Sequence, residues 1–169
     1  LLFLQKRYII IICVIEEYMR NKEKMNMGFI EQLKEKARHD RKTIVLPEGM
    51  DRRTYEAAEQ IVKEDFADII LLASEEEVAK YGKDYDTEGI TIINPRKYEK
   101  IQDYAEQFYQ LRKAKGMTKE QAYAILVSDY MYFACMMLKA GDADGVVSGA
   151  CHSSACLLYT SPSQRDRSV

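Results

Sequence analysis

The sequence predicts an α/β fold of three layers, α/β/α, around a mainly parallel sheet. Short β-branched runs recur along the chain with an amphipathic helical segment between one and the next. The runs are almost wholly apolar rather than alternating, as strands covered on both faces are. The helical segments bring capping residues of their own, so both their starts and their ends are visible.

Taken in order, Phe29, Ile30, Leu33 and Ala37 recur at helical spacing with charges on the other face. Thr43-Ile44-Val45-Leu46 is the first strand, stopped by Pro47-Glu48-Gly49. Asp51 is an N-cap, and Tyr55, Ala58, Ile61 and Val62 give the next helix its apolar face. Ala67–Leu72 reads as the second strand. Ser74 caps a helix with Glu75–Glu77 in its favoured first turn. Ile90–Ile93 is the third strand, closed by Asn94-Pro95. Lys97–Lys115 reads as one long helix, with Ile101, Tyr104, Ala105, Phe108 and Leu111 inward and Gly116 at its end. Thr118 and Gln121 have the spacing of a capping box. Asp129–Ala140 is apolar on most sides, which predicts a buried helix. Gly141 ends it, and Ala143–Ser148 is the fourth strand.

The totals narrow the function classes. A formal net charge of −2 supplies no basic excess for neutralising nucleic-acid phosphates, so no nucleic-acid partner is expected. The apolar run Tyr8–Ile15 is about half the length of a membrane span, and charges bracket it, so no membrane partner is expected either. Cys13, Cys135, Cys151 and Cys156 form no CxxC pair, and His39 and His152 lie far apart. Free thiols and a cytoplasmic setting follow, with no metal and no bound cofactor expected.

The two ends read differently from the middle. Residues 1–26 read as translated upstream sequence or a non-native extension, with Met25 or Met27 as the better start. An amphipathic helix is the rival reading. Residues 156–169 have no hydrophobic period after Tyr159 and read as an artefactual or disordered tail. The expected α/β domain is therefore 27–155.

Within that domain, TIVLPEGMDRRTYEAA, ADIILLA, FYQLRKAKGMT and SDYMYFACMMLKAGDADGVVSGA, followed by HSS, occur in unbroken order. In these segments the chain resembles the amino-terminal part of the phosphate acetyltransferases, a family that includes phosphate butyryltransferases. The resemblance implies an isocitrate/isopropylmalate dehydrogenase-like fold, incomplete here. It also implies acyl transfer between acetyl phosphate and coenzyme A, and a homo-oligomer at full length. The thiol of coenzyme A would attack the acetyl carbonyl and phosphate would leave. Coenzyme A is then a substrate rather than a cofactor. The residues that the family uses for catalysis would lie in a carboxyl-terminal half that this chain lacks, so the chain alone is expected to be inactive. A phosphate butyryltransferase and a non-catalytic module of the same fold are the rival readings.

Candidate site residues follow from both sources. Arg112, in YQLRKAKG, matches a family arginine associated with coenzyme A, and a guanidinium suits bidentate phosphate recognition. The alternative is a solvated arginine at a helix end. Ser148, Gly149, His152, Ser153 and Ser154 form a loop of small residues at the end of the fourth strand. Their backbone amides and hydroxyls could cradle an acyl phosphate, or serve only as a strand-to-helix connection. Asp142 and Asp144 suggest turn capping before they suggest a metal. Cys151 has no base pinned near it, and Cys135 belongs to the core. Glu48 either lines the site or caps the following helix.

Overall fold

A computed structural model describes residues 9–11 and 27–151. The backbone forms β1 (Ile9–Ile11), α1 (Met27–His39), β2 (Thr43–Leu46), α2 (Arg52–Glu64), β3 (Asp68–Leu72) and a capped turn α3 (Glu75–Glu77). β4 (Ile90–Ile93), α4 (Ile101–Arg112), α5 (Lys119–Ser128), α6 (Tyr130–Ala140) and β5 (Gly145–Ser148) complete it. The five strands form one sheet in the order β1-β5-β2-β3-β4, and all the pairings are parallel.

Alternate residues of each strand supply the two faces, as a pleated backbone requires. Val45, Ile70, Leu72 and Val146 pack against Ile101, Tyr104 and Phe108 of α4, Leu126 of α5, and Met131, Phe133 and Met137 of α6. Leu46, Ile69, Leu71 and Ala73 pack against Tyr55 and Ala58 of α2. The result is the three-layer α/β architecture expected, with helices on both faces.

The strand order sets up the site. β3 lies on one side of β2 with β4 beyond it, and the chain then returns to place β5 on the other side of β2. Between β2 and β5 the direction of winding reverses, and in parallel sheets ligands bind outside the carboxyl ends of the strands at such a switch point.

Several caps sit where the sequence puts them. Asp51 accepts from the Arg53 amide at the start of α2, and Thr118 and Gln121 complete a capping box. Ser74 and Glu77 make another. Asp129 serves two helices: its amide donates to Ile125 at the end of α5, and its side chain accepts from the Met131 amide in α6.

Other expectations are corrected. The long helix at Lys97–Lys115 is only Ile101–Arg112, flanked by 3-10 turns at Pro95–Lys97 and Lys113–Lys115. Asn94 caps a separate turn that opens on Pro95, and Tyr98 behind it is extended, which breaks the helical run. Leu111 faces outward at 52% exposure, although Phe108 one turn earlier is buried. Phe29 and Leu33 are exposed as well. α1 is instead tethered through polar groups, Lys34 pairing with Glu64 and Arg38 donating to the Glu64 carbonyl. The helix behind Ser74 is one turn that widens at Val78–Gly82, where Gly82 lies against the Tyr55 ring.

Ile9–Ile11, within the stretch read as upstream sequence, pairs along β5 with Ile9 beside Val146. An isoleucine run is a good partner for an open sheet edge. Among the described residues no helix is long and apolar enough to cross a membrane.

Candidate functional site

The crevice at the switch point is built by two short connections. In the β2–β5 ladder Val45 stands beside Val146. Three residues further along the chain from each, just past the strand ends, stand Glu48 and Gly149. Gly49 follows with no room for a side chain, since a Cβ there would lie 2.4 Å from the Leu72 carbonyl oxygen and 2.6 Å from the Ala73 Cβ. The buried Tyr55 hydroxyl donates to the Gly49 carbonyl at 2.9 Å, so α2 holds the turn from below. Burial of Tyr55 pushes its phenol up to about 12, which keeps it a donor.

Glu48 is 1% exposed, and its carboxylate points into the loop after β5. Oε2 accepts from the amides of Gly149 and Ala150, each at 2.8 Å, and Oε1 accepts from the amide of Cys151 at 2.8 Å. Gly149 has φ +134°, a conformation suited to glycine, and this turns the next amides toward one point. Arg53 closes the outer side, donating to the Ala150 carbonyl at 2.6 Å and pairing with Asp51 at 2.8 Å. The Arg53 guanidinium and amide hold the Asp51 carboxyl down at about 2, against the opposing effect of partial burial.

Of the sequence candidates, Ser148 and Gly149 stand in this crevice. Ser148 is 1% exposed, and its hydroxyl is the buried side-chain polar group without a hydrogen-bond partner among the described residues. His152, Ser153 and Ser154 lie outside the described residues. Arg112 is not brought to the crevice. It lines a hollow of about 520 Å³ with Lys115, Gly116, Met117, Gln121, Ala124 and Ile125, and no residue of the β5 loop lines it. Its guanidinium lies 6.0 Å from the Phe108 ring centroid.

The remaining candidates find structural partners. Asp142 pairs with Lys100 at 2.7 Å and accepts from the Tyr104 hydroxyl, which holds its carboxyl below the usual range. Asp144 accepts from the Thr43 amide at 3.0 Å. The two carboxylates thus face different partners, and among the described residues no cluster of three His, Cys, Asp or Glu could hold a metal. Partial burial of the thiol, with its hydrogen bond to Asp51 and the charges of Asp51 and Glu48, pushes Cys151 up to about 11, so it is a poor nucleophile near neutrality. Cys135 is raised to about 11 by burial in α6.

Of the two readings offered for Glu48, its carboxylate takes the one at the crevice, on the β5 loop, and not the one on the following helix. One group, Arg53, escaped the sequence altogether. Arg53 acts on a carbonyl 97 residues away, which no local pattern announces.

Comparison with known proteins agrees with the architecture. A phosphotransacetylase from Streptococcus pyogenes superposes with TM-score 0.72 at 36% identity, covering 80% of this chain and 41% of that one. A phosphotransacetylase from Staphylococcus aureus superposes with TM-score 0.65 at 39% identity, covering 72% of this chain and 37% of that one. The phosphate acetyltransferase of Thermoanaerobacterium thermosaccharolyticum is 46% identical over 132 residues, 78% of this chain and 40% of the relative. That of Acetivibrio thermocellus is 45% identical over the same shares. The chain thus spans about 40% of the length of these curated relatives. The model of the family described as phosphate acetyl/butaryl transferase matches residues 28–162. With most of its length matched, the chain belongs to the phosphate acetyl/butaryl transferase family.

Proposed function

We propose that this chain is the amino-terminal part of a phosphate acetyltransferase, which moves an acetyl group between acetyl phosphate and coenzyme A. The observation that carries the site assignment is the buried Ser148 hydroxyl without a partner, at the carboxyl end of β5 and beside the switch point. A buried hydroxyl left unbonded is costly, and a phosphoryl or acyl oxygen would satisfy it. Gly149 follows Ser148 directly, and we assign His152, Ser153 and Ser154, next in the sequence, to acyl-phosphate binding as well.

In the forward direction the coenzyme A thiolate attacks the acetyl carbonyl, the carbonyl oxygen takes up negative charge, and phosphate leaves with the electrons of the C–O bond. Donors placed around that oxygen and the departing phosphate lower the barrier. Ser148 supplies one such donor. Arg112, with Lys115 beside it in the hollow at the end of α4, takes a phosphate of coenzyme A. The base for the thiol lies outside 27–155, so the chain alone is inactive. The complete enzyme is a cytoplasmic homo-oligomer. The curated relatives bear the acetyl name, which favours acetyl over butyryl as the group transferred.

The test is to express the complete reading frame that contains this chain and follow acetyl-coenzyme A formation from acetyl phosphate and coenzyme A. Turnover that Ser148→Ala weakens chiefly through the KM for acetyl phosphate supports the assignment. Absence of turnover from a folded complete protein removes it.

A further inference from the structure

Three successive backbone amides converging on one point is the arrangement by which loops take up phosphate or carboxylate. In the β5 loop that arrangement is complete, yet its anion belongs to the chain. The Glu48 carboxylate receives the amides of Gly149, Ala150 and Cys151, each at 2.8 Å, across 101 to 103 residues of sequence. The side chain is 1% exposed, so water does not share this work.

We infer that Glu48 is a positioning residue for acetyl transfer: its carboxylate is a built-in anion that fixes the β5 loop before substrate arrives. Two consequences follow. The amides of residues 149–151 are already committed, so the acyl phosphate is met by the Ser148 hydroxyl and not by these amides. The loop is also tied to β2, so the acyl-phosphate wall is set by the same ladder that sets the core. Charge and shape are both required. A carboxylate offers acceptors on both oxygens, whereas a glutamine would turn an NH2 group toward one of the amide donors. Only an anion satisfies all three.

The kinetic part of this inference rests on the acetyl-transfer reading, and the experiment separates the two. In the complete protein, Glu48→Gln preserves volume and Glu48→Ala leaves a space that formate fits. Loss of charge-assisted hydrogen bonds predicts a rise of about tenfold or more in the KM for acetyl phosphate in both variants. The KM for coenzyme A should stay within about twofold, because Arg112 lies in a separate hollow. Formate should restore Glu48→Ala and leave the wild type unchanged. Amide hydrogen exchange provides a readout that needs no turnover. Exchange at residues 149–151 should accelerate in Glu48→Gln and slow again when formate is added to Glu48→Ala. A Glu48→Gln protein with unchanged exchange at these amides overturns the inference, whether or not the enzyme transfers acetyl groups. So does an equal rise in both KM values without formate rescue, the mark of a general loss of structure. If the wild type lacks acetyl transfer while the exchange behaves as predicted, the acetyl-transfer reading falls and loop positioning by Glu48 stands.

Discussion

Thr43 and Asp144 are bound to each other twice. The Thr43 amide donates to Asp144 Oδ2 at 3.0 Å, and the Asp144 amide donates to the Thr43 carbonyl at 2.9 Å. These bonds join the starts of β2 and β5, while Glu48 joins their far ends. Asp144→Ala should cost about 1 kcal/mol in urea unfolding, because it leaves the half-buried Thr43 amide without its acceptor. Asp144→Asn, which keeps an oxygen there, should lose much less. Equal losses would mean that charge, not the hydrogen bond, matters at this position.

Gly49 should tolerate no side chain. A Cβ there meets the Leu72 carbonyl and the Ala73 Cβ, and backbone cannot move aside cheaply. Gly49→Ala is expected to cost about 3 kcal/mol, a large share of the roughly 5–15 kcal/mol by which domains are stable. Tyr55→Phe, losing only the bond to the Gly49 carbonyl, should cost about 1 kcal/mol. Denaturant melts of the two variants give the comparison.

Asp51 makes stability depend on acid. Its folded value near 2 is below that of an unfolded aspartate, so its contribution is present above about pH 4 and is lost as pH falls toward 2. Screening by solvent limits this to about 1 kcal/mol. Asp51→Asn should therefore be less stable than wild type at pH 6, and the gap should close near pH 2. A gap that does not change with pH would assign the effect to the helix cap alone.

Cys151 should resist alkylation near neutrality despite its exposure. The rate with iodoacetamide, followed by peptide mass mapping, should climb as pH approaches 11. Asp51→Asn removes one of the causes that hold the thiol protonated, and should shift the profile to lower pH. Rapid modification of the wild type at pH 7 would contradict the geometry.

Arg112→Ala in the complete protein should raise the KM for coenzyme A about tenfold and leave that for acetyl phosphate unchanged. Arg112→Lys should recover only part of this, since an ammonium cannot make a bidentate contact. An unchanged coenzyme A dependence would take the hollow at the end of α4 out of the binding site.

The sequence by itself determined the local elements. Apolar runs such as Ile90–Ile93, and caps such as Asp51, Ser74 and Thr118, act within a few residues, so β2, β3, β4, β5 and the starts of α2, α3 and α5 were legible. It also held the family likeness, because GDADGVVSGACHSS and its companions stand in order along the chain. Only the tertiary structure decided which faces are covered. Phe29 and Leu33 have core-like spacing and are exposed, because exposure depends on what lies opposite a helix and not on its own period. The same holds for the site. The run of glycine, serine and alanine after β5 announced amides fit for an anion, and nothing local said that the anion is Glu48. That assignment needed β5 to return beside β2, a pairing across about a hundred residues that is set by the winding of the sheet.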